Sequence, residues 1–244
     1  MKKILIFLIV TTFLSGFNYP DANEILNRLD RNMSSINRIF ESSMIIHGLR
    51  STRTITSISY SEGTKKSFTE YLSPAREQGT KMLKLEDKLW IYSPSTDRII
   101  QISGHMLRQS VMGSDLSYED MLDDRKLSEI YTAKVTGNER IEGRNTIILE
   151  LIAKVEDIAY YSQKIWVDSE RFVPLKQELF AKSSELLKRT TFTNVKLVQG
   201  RWFPMTIIYK DMLKDGSGTE FRMTSVKFDQ DIPEYIFTKA ALKQ

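Results

Sequence analysis

Apolar residues recur in two rhythms along this chain. Ile25, Leu26, Leu29, Met33 and Ile36 fall at the spacing of one helix face, and Asp21 with Glu24 stands at capping-box spacing ahead of them. An amphipathic helix is therefore predicted to about Asn37. From Ile39 the rhythm shortens to β-type runs between turn residues, at 43–49, 52–60, 67–72, 80–85, 89–92 and 98–102. Residues 106–131 interrupt it, with Ser117 placed to cap a short helix and Asp120 as its acidic third residue. Runs resume at 133–136, 146–153, 160–167, 175–181, 186–198, 202–210 and 219–228, with hairpin turns at 182–185 and 214–218. The pattern is a mainly β, α+β antiparallel one: a helix, a meander, a helical insertion and a second meander.

Several strands carry no wet face. Residues 89–92, 147–152 and 202–209 are apolar on both sides, whereas an antiparallel sheet with one solvated face alternates apolar and polar. Something must cover both faces. Either the sheet curls and its own helices fill the inner side, or part of that side is an apolar cavity held for a ligand.

The first residues add a compartment. Met1-Lys2-Lys3 followed by uncharged Ile4 to Leu14 has the form of a secretory leader, too short to span a bilayer, with small residues for cleavage near Gly16 and Phe17. The expectation is a leader at 1–17, removed on export to the periplasm, and one domain over 18–244. No cysteine is present, so there is neither a disulfide framework nor a thiol for lipid attachment. Thirty-five Lys and Arg against 31 Asp and Glu leave +4, with no basic cluster of nucleic-acid size. A nucleic-acid partner is not expected.

The motifs of common chemistry are missing. His47 and His105 are the only histidines and stand in no metal-ligand spacing, so no metal and no other cofactor is expected. His105, Ser110 and Asp115 could be imagined as a nucleophilic triple, but no G-x-S-x-G elbow is present, and the chain is not read as an enzyme. Neither phosphate-binding glycine pattern occurs.

The run Met112-Gly113-Ser114-Asp115-Leu116-Ser117-Tyr118-Glu119-Asp120-Met121 resembles the G-[ST]-D-[FL]-[ST]-Y-[ED]-D signature of the outer-membrane lipoprotein-sorting protein family, part of the LolA-like superfamily. The resemblance continues through Lys164-Ile165-Trp166-Val167-Asp168, Phe172-Val173-Pro174-Leu175-Lys176, Leu186-Leu187-Lys188, Gly200-Arg201-Trp202-Phe203-Pro204 and Ile232-Pro233 to Ile236-Phe237-Thr238. It implies a strongly curved antiparallel sheet forming an unclosed barrel, with helices over the concave side and an apolar cavity between them. Within the signature, Gly113 and Ser114 are read as a turn, Asp115 as an acceptor for backbone N–H groups, and Ser117 with Asp120 as a helix cap beside Tyr118.

That resemblance makes the expected activity a non-catalytic one. A monomeric periplasmic carrier would hold lipoprotein acyl chains or another lipid and pass them from an inner-membrane transporter to an outer-membrane acceptor. The alternative from another class is a periplasmic sensor or regulatory interaction module of the same fold. Cavity-wall candidates are Met44, Trp90, Met112, Trp166, Trp202, Met205, Ile207 and Met223, with Met82, Met106 and Met121 as further adaptable thioethers.

Overall fold

The computed structural model describes residues 21–49 and 51–244; the leader expected at 1–17 lies outside them. Helix α1 (Ala22–Met33) buries Ile25, Leu26 and Leu29 as the stripe requires. It stops before the expected Asn37, because Ser34 takes an extended conformation at the C-cap and Ile36 stands 77% exposed in the link to the sheet. The capping box at its start does not form either. Asp21 occupies the N-cap, but only its backbone carbonyl is engaged, accepting from the Ile25 N–H at 3.0 Å.

Strands β1 (Asn37–His47), β2 (Thr52–Glu62), β3 (Lys66–Ser73), β4 (Lys81–Leu85), β5 (Lys88–Ser93) and β6 (Arg98–Ile102) run outward from the centre as a meander. The insertion, containing α2 (Tyr118–Leu122) and α3 (Leu127–Ile130), carries the chain across to the opposite edge. From there β7 (Tyr131–Ile141), β8 (Arg144–Ala153), β9 (Ser162–Asp168), β10 (Pro174–Phe180), β11 (Leu186–Val198), β12 (Arg201–Asp211) and β13 (Gly218–Phe228) return to the centre, where β13 pairs with β1. The result is one curved sheet of 13 strands, antiparallel throughout, with β6 and β7 left as edges, so the barrel does not close.

β1 starts six residues earlier than its apolar pattern indicated. Its first residues mix Asn37, Arg38, Ile39, Phe40 and Glu41, a composition that hides a strand, yet all are paired with β2. Pro204 lies inside β12, as the run at 202–210 implied, and it is tolerated because β12 pairs with β13 only over Thr206–Tyr209. The turn into β13 requires Gly218: its φ is +95°, and a Cβ there would meet the Tyr209 carbonyl oxygen at 2.5 Å.

The inner face has two apolar covers. α1 lies over Ile147, Leu149 and Leu151 of β8 and Ile165 and Val167 of β9, all buried. The insertion lies over Met44, Ile55, Tyr71, Met82 and Leu89 at the other end of the sheet. On the outer face, the C-terminal turns bring Ile232, Phe237 and Leu242 against Phe68, Leu83 and Trp90.

Candidate functional site

Between those two covers lies a partly open cavity of about 450 Å³, within the roughly 300–1,000 Å³ common for ligand sites. Its floor has two textures. Phe192, Ile207, Phe221 and Met223 of β11 to β13 make an apolar strip. Across from it, Ser57, Ser59 and Ser61 of β2 and Ser67 and Thr69 of β3 face the same space.

Those hydroxyls satisfy one another across strands. Ser59 Oγ and Thr69 Oγ1 are 2.9 Å apart, and Ser42 Oγ and Ser57 Oγ 3.0 Å, so each of these buried hydroxyls has a hydrogen-bond partner. Their small volume is what leaves the space open. Farther round, Gln177 Nε2 donates to Gln163 Oε1 at 2.6 Å.

The roof is formed by Leu29, Asp30 and Met33 of α1 and by the insertion from Val111 to Ile130. Polar ties hold it to the sheet. The Ser117–Asp120 capping box forms: the Ser117 N–H donates to Asp120 Oδ2 at 2.6 Å and the Asp120 N–H to Ser117 Oγ at 3.2 Å. Asp120 also accepts from the Tyr160 hydroxyl at 2.5 Å and pairs with Lys188 of β11. Lys84, 2% exposed, reaches Asp124 at 2.9 Å and the Leu122 carbonyl. Asp30 of α1 accepts from the Leu127 and Ser128 N–H groups at 3.1 and 2.9 Å, capping α3 from another element.

Burial governs the titrating groups here. It pushes the Tyr131 hydroxyl up to about 12 and raises Tyr71, Tyr160 and Tyr209 as well, so these phenols stay protonated at neutral pH. Burial and the neighbouring Asp120 also raise the Glu119 carboxyl. Arg38 of β1 is moved the other way, its pKa lowered by burial against a partly offsetting Asp124.

Of the sequence candidates, Met44, Ile207, Met223 and Asp120 line the cavity, together with Met121 and Leu116 of the insertion. Trp90 and Trp166 face the opposite side of the sheet. Each alternates with inward residues, Leu89 and Ile91 for the first and Ile165 and Val167 for the second. Trp90 packs in the outer cluster beneath Lys239, and Trp166 donates its Nε1–H to Glu139 at 2.5 Å. Trp202 lines a separate hollow of about 220 Å³ with Arg171 and Arg28. Met205 packs with Phe203 and Phe228, and Met112 sits at φ 52° with its carbonyl accepting from Arg53.

Among the remaining signature residues, Gly113 has φ +72° and Ser114 is buried. Asp115 accepts from the Asp211 N–H at 2.9 Å and from Thr219 Oγ1 at 2.8 Å, tying the insertion to β12 and β13. Tyr118 packs against the cluster under the insertion. Ser110 Oγ meets Lys214 Nζ at 2.6 Å, so neither Ser110 nor Asp115 is oriented by a histidine. The serines of β2 and Arg38 were not marked by any motif. The Ser-x-Ser-x-Ser alternation from Ser57 to Ser61 was the available signal.

A family model whose description reads only "-like: Uncharacterized protein" matches residues 63–244. No curated protein matches the chain. Among solved structures, a domain named for outer membrane lipoprotein sorting, from Vibrio parahaemolyticus, is 26% identical, with a TM-score of 0.79 over 91% of this chain and 98% of its own. A LolA superfamily protein from Nitrosomonas europaea is 25% identical, with a TM-score of 0.75 over 90% and 98%. A DUF1329 family protein from Desulfovibrio piger shares the fold at 24% identity and a TM-score of 0.82, over 91% and 97%.

Proposed function

The chain belongs to the family whose model spans residues 63–244, within the LolA-like superfamily of outer-membrane lipoprotein-sorting folds, and on that premise we propose that it is a non-catalytic periplasmic lipid carrier. The observation that carries this reading is the partly open cavity between the sheet and its roof, floored on one side by Phe192, Ile207, Phe221 and Met223. An acyl chain removed from water there gains about 0.8 kcal/mol per CH₂, enough for one long chain to compete with a membrane. The carrier takes its cargo from one membrane partner and gives it to another, and needs no reacting group to do so.

The test is displacement of a hydrophobic dye from the purified protein by acylated peptides of graded chain length. One saturable site is expected, with affinity falling roughly tenfold for each two carbons removed, and no displacement by the peptide without its acyl chain. Ile207→Glu or Met223→Glu should weaken binding far more than an exposed substitution such as Leu197→Glu. Affinity independent of chain length in folded protein would overturn the reading.

A further inference from the structure

Four basic side chains line the cavity, and three of them are neutralised. Arg125 pairs with Asp123 at 2.8 Å, Lys126 with Glu129 at 3.7 Å and Lys188 with Asp120. Arg38 is different. It has no ion pair and no side-chain hydrogen bond among the described residues, and its Nε is buried without a partner.

A guanidinium cannot shed its charge, so a buried Nε–H with no acceptor is a cost the site carries. Its neighbours are the rings of Phe40 and Phe203, whose centroids lie 5.3 and 5.9 Å away. Rings attract the cation but supply no strong acceptor for its N–H groups. The carboxylate that acts on it most is Asp124, one of whose oxygens, Oδ2, already accepts from Lys84 at 2.9 Å. Arg38 is thus a fork of donors on the cavity wall, with no carboxylate of the described residues at ion-pair distance.

We propose that Arg38 anchors the headgroup of an anionic single-chain amphiphile, pairing with its carboxylate or phosphate while the tail lies along the apolar strip of β11 to β13. This rests on the carrier reading and narrows it from lipid in general to an acidic one. Both headgroup chemistries present two coplanar oxygens suited to the guanidinium fork. An uncharged lipid of the same length would fill the same strip but leave Arg38 unpaired.

The experiment titrates purified protein with dodecanoate, dodecyl phosphate and dodecanol by dye displacement, with inorganic phosphate and acetate as tail-less probes. Wild type should bind at least one of the two anions roughly tenfold or more tighter than dodecanol, and the stronger anion identifies the headgroup class. In Arg38→Gln that ratio should fall to within about twofold; Arg38→Met, whose unbranched side chain fills the same place between the rings, repeats the test if the glutamine variant does not fold. Equal binding of all three amphiphiles by wild type, or a preference that survives in both variants, overturns the Arg38 anchor and leaves the carrier reading standing. Displacement by inorganic phosphate or acetate alone overturns the amphiphile in favour of a free-anion site. Failure of every amphiphile to bind folded protein overturns the carrier reading itself.

Discussion

The inner face of the sheet is closed under α1 and open between β2, β3 and β11 to β13, and the two regions reach those states with different side chains. Under α1, large aliphatic residues such as Leu149, Leu151 and Val167 are packed to 0% exposure and none of them lines the cavity. Across the cavity floor, serines and threonines leave volume unfilled and satisfy their own hydroxyls pairwise. A doubly apolar strand therefore does not by itself mark a cavity: β12 gives Phe203 and Ile207 to the cavity lining, whereas β5 and β8 give no residue to it. In β5 both faces are covered, by the insertion and by the C-terminal turns, whereas in β8 only the inner face is, and Ile152 on the outer face is 43% exposed.

The largest test of that contrast is Leu149→Ala, which should cost about 2–5 kcal/mol in urea unfolding, because the closed region cannot collapse around a deleted side chain. A loss below about 1 kcal/mol would show the α1 region to be as loosely packed as the cavity. Next comes Asp115→Ala, which removes the carboxylate that accepts from Asp211 and Thr219, leaves only the residue 115 N–H to Thr219, and should cost about 1–3 kcal/mol while leaving the apolar strip intact. An unchanged melting temperature would mean that the roof is held by its ion pairs alone.

Two carboxyls, one near each region, should respond to pH in opposite directions. Burial opposes ionisation of Asp168 at the end of β9, but Arg144 at 2.9 Å and the N–H groups of Arg171 and Glu170 overcome it and hold its pKa below the ordinary carboxylate value. The stability it brings is complete above its unfolded pKa and is lost as pH falls through the folded one. Asp168→Asn should destabilise the protein at pH 7 and converge on wild type in acid. Glu119 of the roof is raised, so its favourable contribution is present below its unfolded pKa and lost as pH rises through the folded one. Glu119→Gln should make the protein slightly more stable at pH 7 and indistinguishable at pH 4, a difference that thermal scans at the two pH values would resolve.

The smallest effect belongs to the cavity floor. Ser57→Ala removes one member of a hydroxyl pair beside open volume and should cost no more than about 1 kcal/mol. A cost near that of Leu149→Ala would contradict the distinction between the two regions.

What the sequence determined by itself was local. The strands at 98–102 and 186–198 coincide with their apolar runs, and the Ser117–Asp120 cap was legible because its partners are three residues apart. Periodicity, turn residues and caps act within a few positions, so one segment suffices to read them. Tertiary structure alone decided which face of each strand met which cover. The alternation of Ser57, Ser59 and Ser61 with Ile58 and Tyr60 looks like a strand with its apolar side inward, yet the serines face the cavity. Trp90 and Trp166 were turned outward for the same kind of reason: residues from other elements, Leu242 and Glu139 among them, arrived to receive them. Arg38 shows the limit most clearly. Asp124, the carboxylate that acts on it most, is paired with Lys84, and that pairing exists only once residues 40 positions apart in the chain are brought together.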